Sequence, residues 1–231
     1  MSIVNIYNFV ETLLLLHGWG GDENSFVPIL PSLCKSFNCV SLKLPMFSKG
    51  DADPKEPWSL WDYANYIEGE LDKKNIKCCH VLAHSFGCRV TILLALINPM
   101  RYGKLLLTGP AGIKPRRNFA TRLKILWNKL MRKMGSKKER GSVEYKALSP
   151  HGKETFKNVL GRDLSLEISL VENETLLVVG RHDRATPPWM GRRWQKLSPN
   201  AKLVIYNKSA HFAYIDERNR FISDAVLYFI K

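Results

Sequence analysis

The stretch CCHVLAHSFGCRVTILLALI at residues 78–97 decides the fold. Residues 79–83 form a short apolar run typical of a buried strand, and residues 86–98 have a helical pattern. Ser85 stands where the strand turns into the helix, with Ala83 and Gly87 two positions to either side. A tight turn that lifts a serine hydroxyl clear of a sheet has room only for small residues at those positions. The pattern predicts a nucleophile at Ser85, with a plain helix N-cap as the alternative.

Similar apolar runs recur along the chain and alternate with amphipathic stretches. The runs lie at residues 12–16, 39–44, 79–83, 104–108, 175–180 and 202–206. The helical patterns cover residues 25–37, 59–74, 86–98, 189–197 and 216–230. Continuous aliphatic runs suit strands buried on both faces, and their alternation with helices indicates a parallel sheet. We therefore expect an α/β fold with a mostly parallel sheet of six to seven strands and helices on both faces, residues 3–9 supplying one further strand at most.

One long segment, between residues 108 and 175, interrupts this alternation. Its first part, residues 114–140, holds eleven Lys or Arg and the single acid Glu139. Apolar residues recur there at three- and four-residue steps, which predicts a basic amphipathic helix: Phe119, Leu123, Leu126, Trp127, Leu130 and Met134. We expect a helical cap at 113–170, inserted into a core made of residues 1–112 and 171–231. By position alone, Phe119, Trp127 and Leu130 are candidate substrate-binding residues.

A serine hydroxyl needs a base beside it, and that base needs a carboxylate to hold one tautomer. Asp183 lies three residues beyond the run that ends at Gly180, and His211 lies five residues beyond the run that ends at Tyr206. The carboxyl ends of parallel strands meet at one edge of a sheet, so both side chains can converge on Ser85. A turn residue or an ion pair with a flanking arginine is the alternative for the aspartate.

Backbone donors for an oxyanion are expected after the first strand. Residues 16–21 read LHGWGG, and glycines let the backbone approach a reacting group closely. Acyl transfer develops negative charge on a carbonyl oxygen, and N–H groups must already point there. We assign these donors to the backbone N–H groups of Trp19 and Phe86, with a simple glycine-rich turn as the alternative.

Taken together, these segments resemble the α/β-hydrolase fold family. The matching pieces are HGWGG at 17–21, AHSFG at 83–87, GRHDRATP at 180–187 and SAHF at 209–212, and the resemblance covers nearly the whole chain. It implies a Ser–His–Asp triad and a cap after the sixth family strand. The chain looks most like small bacterial hydrolases grouped with carboxylesterases and with carbon–carbon bond hydrolases of aromatic ring-cleavage products.

Several positions depart from the family pattern. Ala83 replaces the first glycine of G-x-S-x-G, and only eleven residues precede the strand at Thr12. The stretch LKLPMFSKG at 42–50 is a degenerate form of a family motif. Ring-cleavage hydrolases typically carry Trp directly after the catalytic histidine, where this chain has Phe212, and this favours ester chemistry. A serine nucleophile disfavours epoxide hydrolase and dehalogenase chemistry.

Composition limits the remaining classes. The 231 residues include 35 Lys or Arg and 21 Asp or Glu, a formal net charge of +14. With 45% hydrophobic and 24% charged residues the chain is not disordered. No aliphatic run near the start approaches the roughly 20 residues of a membrane span, and the absence of early Lys or Arg argues against a signal peptide. Five cysteines without zinc spacing predict reduced thiols in a cytoplasmic protein, with no metal site and no cofactor.

The leading hypothesis is a serine hydrolase that cleaves an ester or related small acyl substrate through an acyl-enzyme. The alternatives are carbon–carbon bond hydrolysis of ring-cleavage products and a non-catalytic binding protein on the same fold. The basic segment suits contact with an anionic membrane, attraction of an anionic substrate, or a solvated outer face of the cap. No nucleic acid partner is expected because no recognition module is present. The oligomeric state stays open.

Overall fold

The computed structural model describes residues 10–46, 55–114 and 148–231. Six strands form one parallel sheet in the order β2-β1-β3-β4-β5-β6. The strands are β1 Thr12–Leu16, β2 Asn38–Leu42, β3 Cys79–His84, β4 Tyr102–Thr108, β5 Thr175–Gly180 and β6 Ala201–Tyr206. The predicted parallel α/β architecture is therefore confirmed. The candidate strand at residues 3–9 lies outside the described residues.

Eight helices accompany these strands in the described ranges. They are α1 Leu30–Leu33, α2 Leu60–Lys73, α3 Phe86–Ile97, α4 Pro150–Leu160, α5 Ser165–Ser169, α6 Pro188–Leu197, α7 Ala213–Asp216 and α8 Arg218–Ile230. Helix α2 begins at a capping box, in which the Ser59 hydroxyl accepts a hydrogen bond from the backbone N–H of Asp62 and the Asp62 carboxylate accepts one from the backbone N–H of Ser59.

Alternate residues of β1 face opposite sides of the sheet, and both sides are buried. Leu14 and Leu16 belong to the core cluster that also contains buried residues of α2 to α6. Leu13 and Leu15 belong to a second cluster formed with α1, α7 and α8. Because each face is covered by helices, the strand consists of leucines throughout after Thr12 instead of alternating with polar residues.

The predicted helix at 25–37 is wrong over most of its length. Only α1 is helical there, and the preceding residues form successive turns in which the N–H of Val27 donates to the carbonyl of Asn24 and that of Ile29 to Phe26. Pro28 has no N–H to donate, and its ring disfavours helical backbone at Val27. The turns bury the apolar side chains of Phe26 and Ile29 without forming a helix.

The described part of the predicted cap segment packs on the same face as α2 and α3. Val159 of α4, Leu164, and Ile168 of α5 are fully buried in that cluster. The remaining part, which includes the predicted basic helix, lies outside the described residues, so the cap at 113–170 stays a prediction. No helix within the described ranges is long and apolar enough to cross a membrane.

Two buried histidines connect loops at the carboxyl edge of the sheet. His17 Nδ1 lies 2.8 Å from the Gly18 carbonyl oxygen, and its Nε2 accepts a hydrogen bond of 2.8 Å from the Leu44 N–H. His84, the last residue of β3, donates from Nε2 to the carbonyl of His211 over 3.0 Å. A carbonyl only accepts, so Nε2 of His84 carries the proton. Burial lowers the pKa of each imidazole, so both rings are uncharged at neutral pH while they bond the two loops.

Glycine is required at the end of β5, and this requirement is testable. A Cβ at Gly180 would lie 2.0 Å from the Ala210 carbonyl oxygen, whereas a Cβ at Gly69 in α2 would meet nothing within 4 Å. We expect Gly180→Ala to lower the free energy of unfolding by about 1–3 kcal/mol or more. Gly69→Ala, the matched control, should raise it by about 0.5–1 kcal/mol because alanine restricts the unfolded chain. Urea unfolding measures both, and equal effects would contradict the assignment.

The burial of His84 predicts a pH-dependent stability. Burial and the nearby His211 lower its pKa to about 3, from an ordinary 6.5. The unfolded chain therefore binds a proton that the folded state rejects, and stability falls as pH drops from 6.5 towards 3. Between pH 7.5 and pH 5 we expect His84 to account for a loss of about 2 kcal/mol.

Urea unfolding of wild type and His84→Gln at these two pH values measures this loss. The variant should lose less stability than wild type across the interval, and the exposed His151→Gln should follow wild type. Identical pH dependence in wild type and His84→Gln would contradict the prediction.

Candidate active site

Ser85 occupies a tight turn between β3 and α3. Its backbone has φ 51° and ψ −105°, a left-handed conformation that L side chains rarely adopt. The Ser85 N–H donates to the carbonyl of Thr108 over 3.0 Å, which connects the turn to the end of β4. A strained conformation of this kind persists only where the surroundings hold it in place, and such residues cluster at functional sites.

The loop after β1 lies directly against this turn. A Cβ at Gly87 would lie 2.3 Å from the Leu16 carbonyl oxygen, and a Cβ at Gly18 would lie 3.3 Å from Ser85 Cβ. The rings of Trp19 and Phe86 meet edge to face, with centroids 5.6 Å apart. The two residues predicted to supply oxyanion donors therefore come together beside Ser85.

His211 connects the serine to a carboxylate. Its Nε2 lies 3.0 Å from Ser85 Oγ, and its Nδ1 lies 2.8 Å from Asp183 Oδ2. An ionised carboxylate only accepts, so Nδ1 carries the proton and Nε2 is free to accept the hydroxyl proton of Ser85. The three residues predicted from their positions after β3, β5 and β6 are thus brought into one hydrogen-bonded relay.

The buried Asp183 carboxylate is held by several donors. Burial acts to raise its pKa, but the hydrogen bonds from His211 and from Thr186 outweigh burial and hold the pKa below its usual value. Oδ1 accepts from the N–H groups of Ala185 and Thr186, each at 2.8 Å. The carboxylate is therefore ionised at neutral pH. The flanking Arg181 donates to Asn207 instead, so the relay replaces the ion pair considered from the sequence.

Thr186 is a site residue that the sequence reasoning missed. Its hydroxyl donates to Asp183 Oδ2 over 2.7 Å and lies 3.4 Å from His211 Nδ1. It stands three residues after the aspartate and directly before two prolines that lead into α6. A threonine at this spacing is a signal for local side-chain to backbone bonding, and it could have been read as a partner of the carboxylate.

The three substrate-binding candidates in the predicted cap, Phe119, Trp127 and Leu130, lie outside the described residues. The site therefore consists, in the ranges that are described, of the relay, the glycine-rich loop after β1 and the aromatic side chains beside it. Phe156 of α4 is one of these, with its ring edge to face with Trp19 at a centroid distance of 4.8 Å. Within the same ranges no group of three or more His, Cys, Asp or Glu side chains is placed to hold a metal ion.

Two family models match this chain. A model described as alpha/beta hydrolase fold matches residues 11–140, and a model described as TAP-like protein matches residues 159–231. In an alignment of 248 positions, the chain is 27% identical to a Pseudomonas putida protein named 2-hydroxy-6-oxononadienedioate/2-hydroxy-6-oxononatrienedioate hydrolase 2. That match covers 93% of this chain and 87% of the relative.

Solved structures with the same fold include two hydrolases. A meta-cleavage product hydrolase from Pseudomonas fluorescens superposes with a TM-score of 0.71 at 20% identity, covering 95% of this chain and 90% of that one. The enol-lactonase from Burkholderia xenovorans superposes with a TM-score of 0.75 at 16% identity, covering 96% of this chain and 92% of that one. With a family model that spans more than half of its residues and a parallel sheet of matching architecture, the chain belongs to the alpha/beta hydrolase fold family.

Proposed function

We propose that the protein hydrolyses a carbon–carbon bond beside a ketone in a conjugated dicarboxylic acid, with Ser85 as nucleophile, His211 as general base and acid, and Asp183 as the carboxylate that orients the imidazole. The observation that carries the catalytic part is the relay from Ser85 Oγ to His211 to Asp183 at 3.0 and 2.8 Å. The Pseudomonas putida relative, named for dienedioate and trienedioate substrates with a 6-oxo group, supports the substrate class.

The first half-reaction forms an acyl-enzyme. His211 Nε2 takes the proton of Ser85 as Oγ bonds to the ketone carbon, and the ketone oxygen becomes an oxyanion. Collapse of this intermediate breaks the bond to the neighbouring carbon. That carbon leaves with the electron pair, which is delocalised into the conjugated acid when its 2-hydroxy group is in the keto form, and it receives the proton from His211.

The second half-reaction returns the enzyme to its starting state. Water gives a proton to His211 and attacks the ester carbonyl on Ser85, and the second tetrahedral intermediate releases a carboxylic acid as Ser85 recovers its proton. In both halves the imidazolium is stabilised by the ionised Asp183, whose lowered pKa keeps it charged.

The backbone N–H groups of Trp19 and Phe86 are the proposed oxyanion donors. Phe86 is the first residue of α3, and the positive end of the helix dipole favours negative charge there. The loop that carries Trp19 lies close to Ser85 because glycine stands on both sides of the contact. Neither Gly18 in the loop nor Gly87 in α3 leaves room for a Cβ. Preorganised donors stabilise the developing charge more than the ground state.

The charge of the chain agrees with a doubly negative substrate. With 35 basic and 21 acidic side chains the formal net charge is +14, and a positive field raises the local concentration of anions. We propose that Phe119, Trp127 and Leu130 contribute the apolar part of the substrate pocket from a cap at 113–170. Peripheral contact of that basic segment with an anionic membrane is the other use that its charge allows.

Ester hydrolysis is the second candidate, and Phe212 favours it. Ring-cleavage hydrolases typically carry Trp directly after the catalytic histidine, and Phe212 stands there with its ring 5.4 Å from that of His211. The same relay cleaves an ester when an alcohol leaves in place of carbon.

A comparison of two substrate classes separates carbon–carbon bond hydrolysis from ester hydrolysis. Purified protein is assayed with 2-hydroxy-6-oxononadienedioate, followed by the loss of absorbance as conjugation shortens, and with p-nitrophenyl esters of increasing chain length. We expect kcat/KM for the dienedioate to exceed that for the esters by about 100-fold, because its two carboxylates supply binding energy at a distance from the reacting bond. Turnover of esters without turnover of the dienedioate would select ester hydrolysis.

Removal of the nucleophile tests the relay itself. Ser85→Ala should lower kcat by about 10⁴- to 10⁶-fold, because the substitution removes the attacking oxygen. A fluorophosphonate probe should label Ser85 in wild type, as mapped by mass spectrometry, and should label neither Ser85→Ala nor His211→Ala. Ser198→Ala, at a buried residue directly after α6, is the matched control and should keep full activity. Normal turnover by Ser85→Ala would refute the mechanism.

A further inference from the structure

Arg89 is a buried cation close to the nucleophile that the mechanism above does not use. It stands on α3 one helical turn after Ser85, and only 5% of its surface is exposed. Burial lowers the pKa of its guanidinium to about 10, so the group is still charged at neutral pH. A buried charge of this kind is retained only where specific partners compensate for the lost hydration.

The partners of Arg89 are backbone carbonyls at the end of α4. Nη1 donates to the carbonyls of Val159 and Arg162 over 3.0 and 2.8 Å, and Nη2 donates to the carbonyl of Leu160 over 3.2 Å. The last carbonyls of a helix have no partners within the helix and carry the negative end of its dipole. Arg89 therefore caps α4 from a neighbouring helix and holds its carboxyl end against α3.

Helix α4 in turn contacts the loop that carries a proposed oxyanion donor. Phe156, one turn before Val159, packs edge to face on Trp19 at 4.8 Å, and Trp19 packs on Phe86 at 5.6 Å. The buried Thr155 hydroxyl accepts from the backbone N–H of Trp58 over 2.8 Å, which fixes the same turn of α4 from a second side. The contacts thus form a ring from Ser85 along α3 to Arg89, through α4 to Phe156, and through Trp19 back to Phe86.

We propose that Arg89 is a positioning residue that sets the oxyanion site by fixing α4 behind Trp19. It touches no reacting atom, and it acts through Phe156 on the loop whose backbone N–H must face the developing charge. The inference rests on the proposed function, because it requires Ser85 to be the nucleophile. An error in the position of a donor affects the transition state more than the ground state. The loss therefore falls on the rate of the chemical step and not on binding.

Inactivation of Ser85 by a fluorophosphonate measures this step without knowledge of the natural substrate. Ser85 Oγ gives its proton to His211 Nε2 and bonds to phosphorus, fluoride leaves, and the phosphonyl oxygen accepts hydrogen bonds from the proposed oxyanion donors. We expect Arg89→Met to lower the maximal inactivation rate, kinact, by about tenfold with little change in the half-saturating probe concentration. Arg89→Lys, which keeps the positive charge but replaces the guanidinium fork with a single ammonium group, should recover part of the rate. Rates are measured at a temperature where every variant is fully folded by circular dichroism.

Arg101→Met is the matched control. Arg101 is as buried as Arg89, with 6% exposure, and it binds Glu68, Asp72 and the Ile76 carbonyl at the opposite, amino end of the sheet. Loss of this network should destabilise the fold while leaving kinact at the wild-type value. A normal kinact in Arg89→Met, or an equal loss in both arginine variants, overturns the inference.

Phe156→Leu keeps the test decisive if Arg89→Met does not fold. This variant leaves the guanidinium contacts in place and removes the aromatic contact with Trp19. A lowered kinact supports the ring of contacts, and a wild-type kinact refutes it. Absence of any adduct on Ser85 in the folded wild-type protein would instead refute the proposed function, and the positioning role of Arg89 would fall with it.

Discussion

The carbonyl oxygen of Leu16 and the start of α3 approach each other so closely that a Cβ at residue 87 would lie 2.3 Å from that oxygen. The site depends on this contact between two backbones. It brings the loop after β1 beside Ser85 and leaves the serine in a left-handed conformation that the surrounding sheet and helix maintain. Substitution at Gly87 would separate Ser85 from the loop after β1, even with Ser85, His211 and Asp183 all present.

The Ser85–His211–Asp183 relay does not by itself determine which bond is broken. In the proposed mechanism Ser85 attacks the carbonyl of an ester or of a ketone with the help of His211 and Asp183, and the leaving group distinguishes the two reactions. An alcohol leaves readily, whereas carbon leaves only when conjugation stabilises its electron pair. Substrate choice therefore resides in the groups that bind and orient the conjugated chain. This explains how one fold is shared by solved structures named as a meta-cleavage product hydrolase and as an enol-lactonase.

The sheet and the three residues of the relay could be predicted because each produces a pattern in a short stretch of sequence. Strands buried on two faces appear as leucine- and valine-rich runs, and the three residues of the relay each follow such a run at its carboxyl end. The hydrogen bonds of Arg89 to α4 could not be predicted in this way. They join positions about 70 residues apart, and their acceptors are backbone carbonyls, which every residue type has. The helix predicted at 25–37 is wrong for a local reason: the apolar spacing is helical, but Pro28 interrupts the backbone.

The parallel sheet also has a consequence for how the protein reaches its native state. Leu105 of β4 pairs with Thr175 of β5 across a long intervening segment, and pairings so distant in sequence are slow because loop closure precedes any gain in contacts. The turn at Ser85 is bonded to the end of β4, while Asp183 follows β5. The relay is therefore complete only once β4 and β5 have joined, and we expect its hydrogen bonds to form later in refolding than the helices.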